Sequence, residues 1–248
     1  MRPFSIAILA LLSGFVTAQT QCVDGIKFFI PRGTGEPEGP GAVGRLGEAV
    51  QALIPGSDIE AINYPASLID PMYFFSVING TLALREAIVS YAEACPGGKM
   101  VITGASQGAH VVSNAICGTG YILSPGNLDP TSVIDFPGEV PGMLYALPLN
   151  VTKDVVAIVA FTDPTRLGHS TWNYGTASSK YRGFMSRTDD SQAACDKYGT
   201  RIRSYCDEGD SVCADGTHHV VGVHESYLDT YLDEVVEYIV GQYEASQG

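Results

Sequence analysis

Cations are scarce in this 248-residue chain, where 14 Lys and Arg stand against 27 Asp and Glu for a formal charge of −13 at pH 7. Nucleic acids and anionic membranes both demand a basic patch, so the balance argues against either as a partner. It implies repulsion from acidic polymers, although acidity also serves the solubility of secreted proteins. Past the first twenty residues no apolar run reaches the 18 or more residues a membrane span needs. Metal-binding spacings are missing too. There is no C-x-x-C, no His-bearing zinc pattern and no D-x-D-x-D-G calcium loop, so neither a metal nor another cofactor is expected. Linkers and internal repeats are absent as well, which argues against several domains or a repeat array.

What is present begins with a leader. Met1 to Thr20 carries one cation at Arg2, an apolar stretch from Ile6 to Val16 and the small-residue ending Val16-Thr17-Ala18. This reads as a secretory signal peptide over residues 1–18, followed by one domain over residues 19–248. That domain, roughly 230 residues long, can fill a single core, given that 45% of the chain is apolar. A secreted, monomeric and soluble protein is expected.

Six cysteines, Cys22, Cys95, Cys117, Cys195, Cys206 and Cys213, all lie in the secreted part. An even number in an oxidising compartment predicts three disulfides, with fifteen pairings open in principle. The short spacing of Cys206 and Cys213 invites a local loop. By chain entropy such a loop contributes about 2.4 kcal/mol, against about 4.4 kcal/mol for one as long as Cys22 to Cys95. The small loop is therefore read as a positional clamp. Asn79-Gly80-Thr81 and Asn150-Val151-Thr152 fit the glycosylation sequon.

Strand-like runs at Ile26–Pro31, Ile59–Tyr64, Met100–Gly104, Val155–Phe161 and Ile202–Cys206 alternate with helical patterns at Val43–Leu53, Thr81–Ala94, Gln107–Ile116 and Ser226–Gly241. That rhythm predicts an α/β fold with a mostly parallel sheet covered on both faces. Two stretches fall outside it. Cys117–Asn150 is rich in Pro and Gly with apolar clusters, and Arg166–Thr200 is polar, holds the single tryptophan, Trp172, and reads as surface decoration.

Gly104-Ala105-Ser106-Gln107-Gly108 joins a strand pattern to a helix pattern. It reads as a nucleophile elbow, in which a strained serine leaves no room for a side chain two positions before or after it. A serine hydroxyl needs an imidazole to take its proton and a carboxylate to orient that imidazole. Of the five histidines, His110 falls one turn into the elbow helix and His169 lies upstream of the acidic candidates. His224 sits just before the last helix and is favoured, with His218 and His219 of the same loop as alternatives. For the acid, Asp207, Glu208, Asp210 and Asp215 crowd one stretch, and Asp210 is the one enclosed between Cys206 and Cys213.

With those residues in place, the chain resembles the cutinase and acetylxylan esterase family of secreted serine esterases. The resemblance rests on the elbow, on Ser204-Tyr205-Cys206-Asp207-Glu208-Gly209-Asp210-Ser211-Val212-Cys213, and on His224. Pro31-Arg32-Gly33-Thr34-Gly35-Glu36-Pro37 and Ala61-Ile62-Asn63-Tyr64-Pro65-Ala66 add to it, and the match spans about Cys22 to Gln242. It implies a compact α/β-hydrolase with a central, mostly parallel five-stranded sheet and usually no bulky lid. It implies Ser106 as nucleophile, Asp210 as acid and His224 as base, with an oxyanion hole from the N–H of Gln107 and the N–H and hydroxyl of Thr34. It pairs Cys22 with Cys95, which leaves Cys117 with Cys195. The chain departs from the family at Ala105, where tyrosine is usual, and in its longer Cys117–Asn150 connection, and both changes touch the mouth of the site.

The expected activity is therefore hydrolysis of carboxylic esters, with an ester substrate, polymeric in nature, as the partner. Apolar clusters at Met72-Tyr73-Phe74-Phe75 and at Met143–Leu149 favour cutin-like polyesters or short-chain acyl esters. The second and last motif segments lean towards deacetylation of xylan. A peptidase and a catalytically silent secreted binder are the rivals from other classes.

Overall fold

The computed structural model describes residues 21–119, 146–215 and 219–248. The signal-peptide reading, most of the Cys117–Asn150 connection and His218 lie outside the described residues. In chain order the elements are strand β1 (Ile26–Ile30), helix α1 (Gly44–Leu53), β2 (Asp58–Ala61), α2 (Tyr73–Ala94), β3 (Lys99–Ala105) and α3 (Gln107–Cys117). There follow β4 (Val155–Phe161), β5 (Asn173–Tyr174), α4 (Asp189–Asp196), β6 (Ile202–Tyr205) and α5 (Tyr227–Ala245).

These strands form one sheet in the order β2-β1-β3-β4-β6-β5, and every strand pairing in it is parallel. Such a sheet must be covered twice, and the apolar residues divide accordingly. Phe29, Met100, Ile102 and Ile158 join a cluster with Leu84 and Ile88 of α2 and Val112 and Ile116 of α3. Their strand neighbours Phe28, Val101, Val159 and Phe161 join another with Leu46 and Val50 of α1 and Val235 and Ile239 of α5. Among the described residues no helix is long and apolar enough to cross a membrane.

The sheet corrects the expectation of five strands. The sixth is β5, in which Asn173 and Tyr174 pair with Ser204 and Tyr205 at the sheet edge. Two residues are too few to carry an alternation pattern. Helix α2 also begins earlier than the sequence pattern suggests. Ser76, Val77, Gly80, Thr81, Leu84, Ile88 and Tyr91 line its buried face, so Tyr73-Phe74-Phe75 belongs to its first turn.

A second correction concerns Arg166–Thr200, which is not surface decoration. Arg166, Trp172, Met185, Arg187 and Cys195 are all buried. The guanidinium groups can enter because fixed acceptors meet them there. Arg187 donates from Nη1 to Gly118 O at 2.7 Å and to Ser191 Oγ at 2.9 Å, and from Nη2 to Asn114 Oδ1 at 3.3 Å. Arg166 donates from Nη1 to Tyr181 O at 2.7 Å.

The three disulfides join Cys22 to Cys95, Cys117 to Cys195 and Cys206 to Cys213. The second ties the end of α3 to α4, and the third closes the acidic loop after β6. Asn79, on α2, and Asn150, in the turn before β4, are both exposed.

Candidate active site

The parallel sheet puts the loops after β1, β3, β4 and β6 at one end, the end at which open α/β sheets hold their ligands. Ser106 follows β3 directly and caps α3 with φ 54° and ψ −121°. Its amide bonds to Phe161 O at 3.0 Å, and its carbonyl accepts the amide of His110 at 3.0 Å. The two flanking glycines are required sterically. A Cβ at Gly104 would stand 2.6 Å from the carbonyl carbon of Gly108, and one at Gly108 would stand 2.1 Å from Pro31 O. Helix α3 is thereby pressed against both the strand before it and the loop after β1.

Thr34 lies on that loop. Gly35 N bonds to Ala66 O at 2.8 Å, and the buried Arg32 donates from Nη2 to Tyr64 O at 2.7 Å. Gln107, the first residue of α3, is fully buried, and its side chain is held at both ends. Its Oε1 accepts from Ser76 Oγ at 2.8 Å, while its Nε2 donates to Ser67 O at 3.0 Å and to Thr34 Oγ1 at 3.1 Å. Since Thr34 Oγ1 accepts from Gln107, its own proton is free to point elsewhere. The backbone N–H of Gln107 also belongs to the first turn of α3, where helix amides have no partner in the helix and the dipole favours anions.

The loop after β6 brings Asp210 to His224. Asp210 is 1% exposed, and both of its oxygens lie 3.2 Å from His224 Nδ1. Val212 N donates to Oδ1 at 2.8 Å and the Tyr227 phenol to Oδ2 at 2.8 Å. Burial pushes the Asp210 carboxyl up. Hydrogen bonds from His224 and Thr162, the His224 charge and the Val212 amide outweigh that push and hold it below the usual carboxylate range. His224 shows the mirror image. Burial pulls its pKa down, but the hydrogen bond to Asp210 and the charges of Asp210 and Glu225 raise it above the ordinary value.

The other candidates are placed elsewhere. Asp207 Oδ1 accepts from Thr176 and from the Tyr231 phenol, Glu208 is exposed, and Asp215 pairs with Arg182 in an isolated bridge. His110 is fully buried behind the elbow with Nδ1 3.1 Å from the Tyr73 hydroxyl, and burial and then Arg187 hold its pKa far below normal. His169 and His219 are exposed. Among the described residues no three His, Cys, Asp or Glu side chains group to hold a metal.

Sequence reasoning passed over four residues here. Ser67 and Ser76 fix the Gln107 amide, Tyr227 holds Asp210, and Thr162 Oγ1 lies 2.9 Å from His224 Nδ1. Tyr227 was detectable in principle, three residues after His224 at the start of an amphipathic helix. No local signal marks the others.

The comparisons with known proteins fit this architecture. A family model described as Cutinase matches residues 21–243. An acetylxylan esterase of Hypocrea jecorina is 30% identical over 237 residues, covering 93% of this chain and 71% of that protein. Cutinase 11 of Verticillium dahliae is 29% identical, covering 94% and 74%. The solved catalytic core domain of acetyl xylan esterase from Trichoderma reesei superposes with a TM-score of 0.71 at 28% identity, covering 90% of this chain and all of that one. With the family model matched over nearly all the described residues, around a parallel sheet carrying a strained elbow serine, the chain belongs to the cutinase family.

Proposed function

We propose that this serine carboxylic ester hydrolase works through Ser106, His224 and Asp210 on acyl esters longer than acetyl, of the cutin-like or short-chain kind. Ser106 attacks the ester carbonyl while His224 takes its proton, and Asp210 fixes the imidazole and balances the imidazolium. The Gln107 N–H together with the N–H and hydroxyl of Thr34 receive the oxyanion. His224 then protonates the leaving alcohol, and water repeats the cycle on the acyl-enzyme. The reaction as drawn uses side chains and water alone, and the three disulfides support a secreted enzyme.

The observation that carries the acyl preference is an apolar rim. Leu68, Ile69 (79% exposed), Met72 and Phe75 are laid open on the segment whose Ser67 and Ser76 hold Gln107. Val220 and Val221 (90% exposed) face solvent on the loop leading to His224. Four exposed apolar side chains grouped within residues 68–75 favour an apolar ligand there. Of the Met143–Leu149 cluster, residues 143–145 lie outside the described residues, Leu147 is core and Leu149 is exposed. Nitrophenyl esters of increasing acyl length test the reading: activity is expected to rise from acetyl to butyrate and beyond. A collapse beyond acetyl would overturn it in favour of the second reading, a deacetylase like the similar acetylxylan esterases. Labelling by a fluorophosphonate, lost in Ser106→Ala, tests the nucleophile and separates the enzyme from a silent binder.

A further inference from the structure

Among the described residues, three residues other than glycine have left-handed backbone, Ala66 (φ 49°), Ser106 (φ 54°) and Thr162 (φ 50°). All three border the candidate site. Ala66 precedes Ser67, whose carbonyl holds Gln107, and Ser106 is the proposed nucleophile. Thr162 follows the last residue of β4 as Ser106 follows the last of β3, and those two strand ends, Phe161 and Ala105, are paired. Side by side, two strands leave the sheet through a residue of positive φ.

For a β-branched residue that conformation is an outlier, and it persists only where the surroundings dictate it. The surroundings of Thr162 do so. It is 1% exposed, and its amide bonds to Tyr205 O at 2.8 Å. Its hydroxyl reaches His224 Nδ1 at 2.9 Å, closer than either Asp210 oxygen at 3.2 Å, and it also hydrogen-bonds the Asp210 carboxyl. A hydroxyl can accept one bond and donate another. When Nδ1 carries its proton, Thr162 Oγ1 accepts a hydrogen bond from it and donates one of its own to Asp210.

From this we propose that Thr162 is a positioning residue of the esterase, a hydroxyl bridge that keeps His224 and Asp210 in register at a contact otherwise long for a charge-assisted pair. The inference rests on the assignment of His224 and Asp210 made above. The bridge matters most once His224 becomes an imidazolium, because hydrogen bonds to an ionised group are the stronger ones. Its loss therefore falls on kcat, with KM little changed.

Thr162→Ser and Thr162→Ala form the test, since both remove the methyl and differ from each other in the hydroxyl alone. Alanine is already accommodated at φ 49° in this protein, at Ala66, so the second variant is expected to fold. On a soluble nitrophenyl ester, Thr162→Ser should keep kcat within about threefold of wild type, and Thr162→Ala should lose roughly tenfold or more with KM unchanged. Thr162→Ala should also melt below Thr162→Ser, because it takes a hydrogen bond from a buried carboxylate, so the split of kcat from KM at a temperature well below both melts is the readout that decides. Equal kcat in the two variants would overturn the bridge while leaving the nucleophile and base untouched. Failure of wild-type labelling by a fluorophosphonate would instead overturn the underlying assignment.

Discussion

The phenol of Tyr227 donates to Asp210 Oδ2 over 2.8 Å and accepts the amide of Asp207 over the same distance. Tyr227 opens α5, and His224 lies three residues before it, so one helix start references both the carboxylate and the imidazole. Tyr227→Phe removes a donor from a buried carboxylate and an acceptor from a backbone amide. It should destabilise the fold by roughly 1–3 kcal/mol in urea unfolding. It should also lower kcat several-fold, and a variant as stable as wild type would contradict this account.

The pH behaviour follows from the opposed shifts of the pair. As the proposed base, His224 must be neutral, so kcat/KM should fall as pH drops through a value above the ordinary 6.5. Stability responds differently. The raised His224 pKa contributes stability fully below 6.5, lost as pH rises through the raised value. The depressed Asp210 pKa contributes stability above 3.8, lost as pH falls through the depressed value. The pair stabilises most between those limits, where the base is protonated. Thermal melts and rate profiles across pH 3–9 should therefore place the pair's best stability on the acid side of best activity, and coincident optima would refute the coupling.

Thr34→Val keeps the shape of the side chain and deletes the proposed oxyanion donor. A loss of about 100- to 1,000-fold in kcat is expected, with KM little altered. Ser76→Ala frees only one end of the Gln107 side chain and leaves the backbone donor in place. Its kcat should fall between those of wild type and Thr34→Val, which steady-state kinetics on one ester would rank.

The disulfides should separate stability from activity. Replacing Cys22 and Cys95 together by serine opens a long loop, at about 4.4 kcal/mol, whereas the Cys206 and Cys213 pair removes about 2.4 kcal/mol. Activity should follow the reverse order, because the small ring encloses Asp210. Denaturant titration beside kcat for the two double variants checks the inversion.

The elements that sequence exposes are those with a local signature. Met100–Gly104 and Val155–Phe161 appear as apolar runs, and the elbow glycines carry their steric meaning in their spacing. Arg166 and Arg187 misled because a charged side chain reads as surface, and nothing local announces that Gly118, 69 residues from Arg187, supplies the acceptor. β5 failed for want of length. Thr162 failed for another reason, because a left-handed turn at a threonine runs against the residue's own preference and is imposed by strands β3, β4 and β6 acting together.

Gly108 lets α3 approach Pro31 O more closely than any side chain would allow. Because no atom fits between α3 and the loop after β1, the Gln107 amide and Thr34 behave as parts of a single casting. The apolar rim from Leu68 to Phe75 is attached to that casting through the side-chain bonds of Gln107. A substitution that loosens Ser67 or Ser76 should therefore be felt at the Gln107 amide, whereas the exposed side chains of Leu68, Ile69, Met72 and Phe75 can change without touching it.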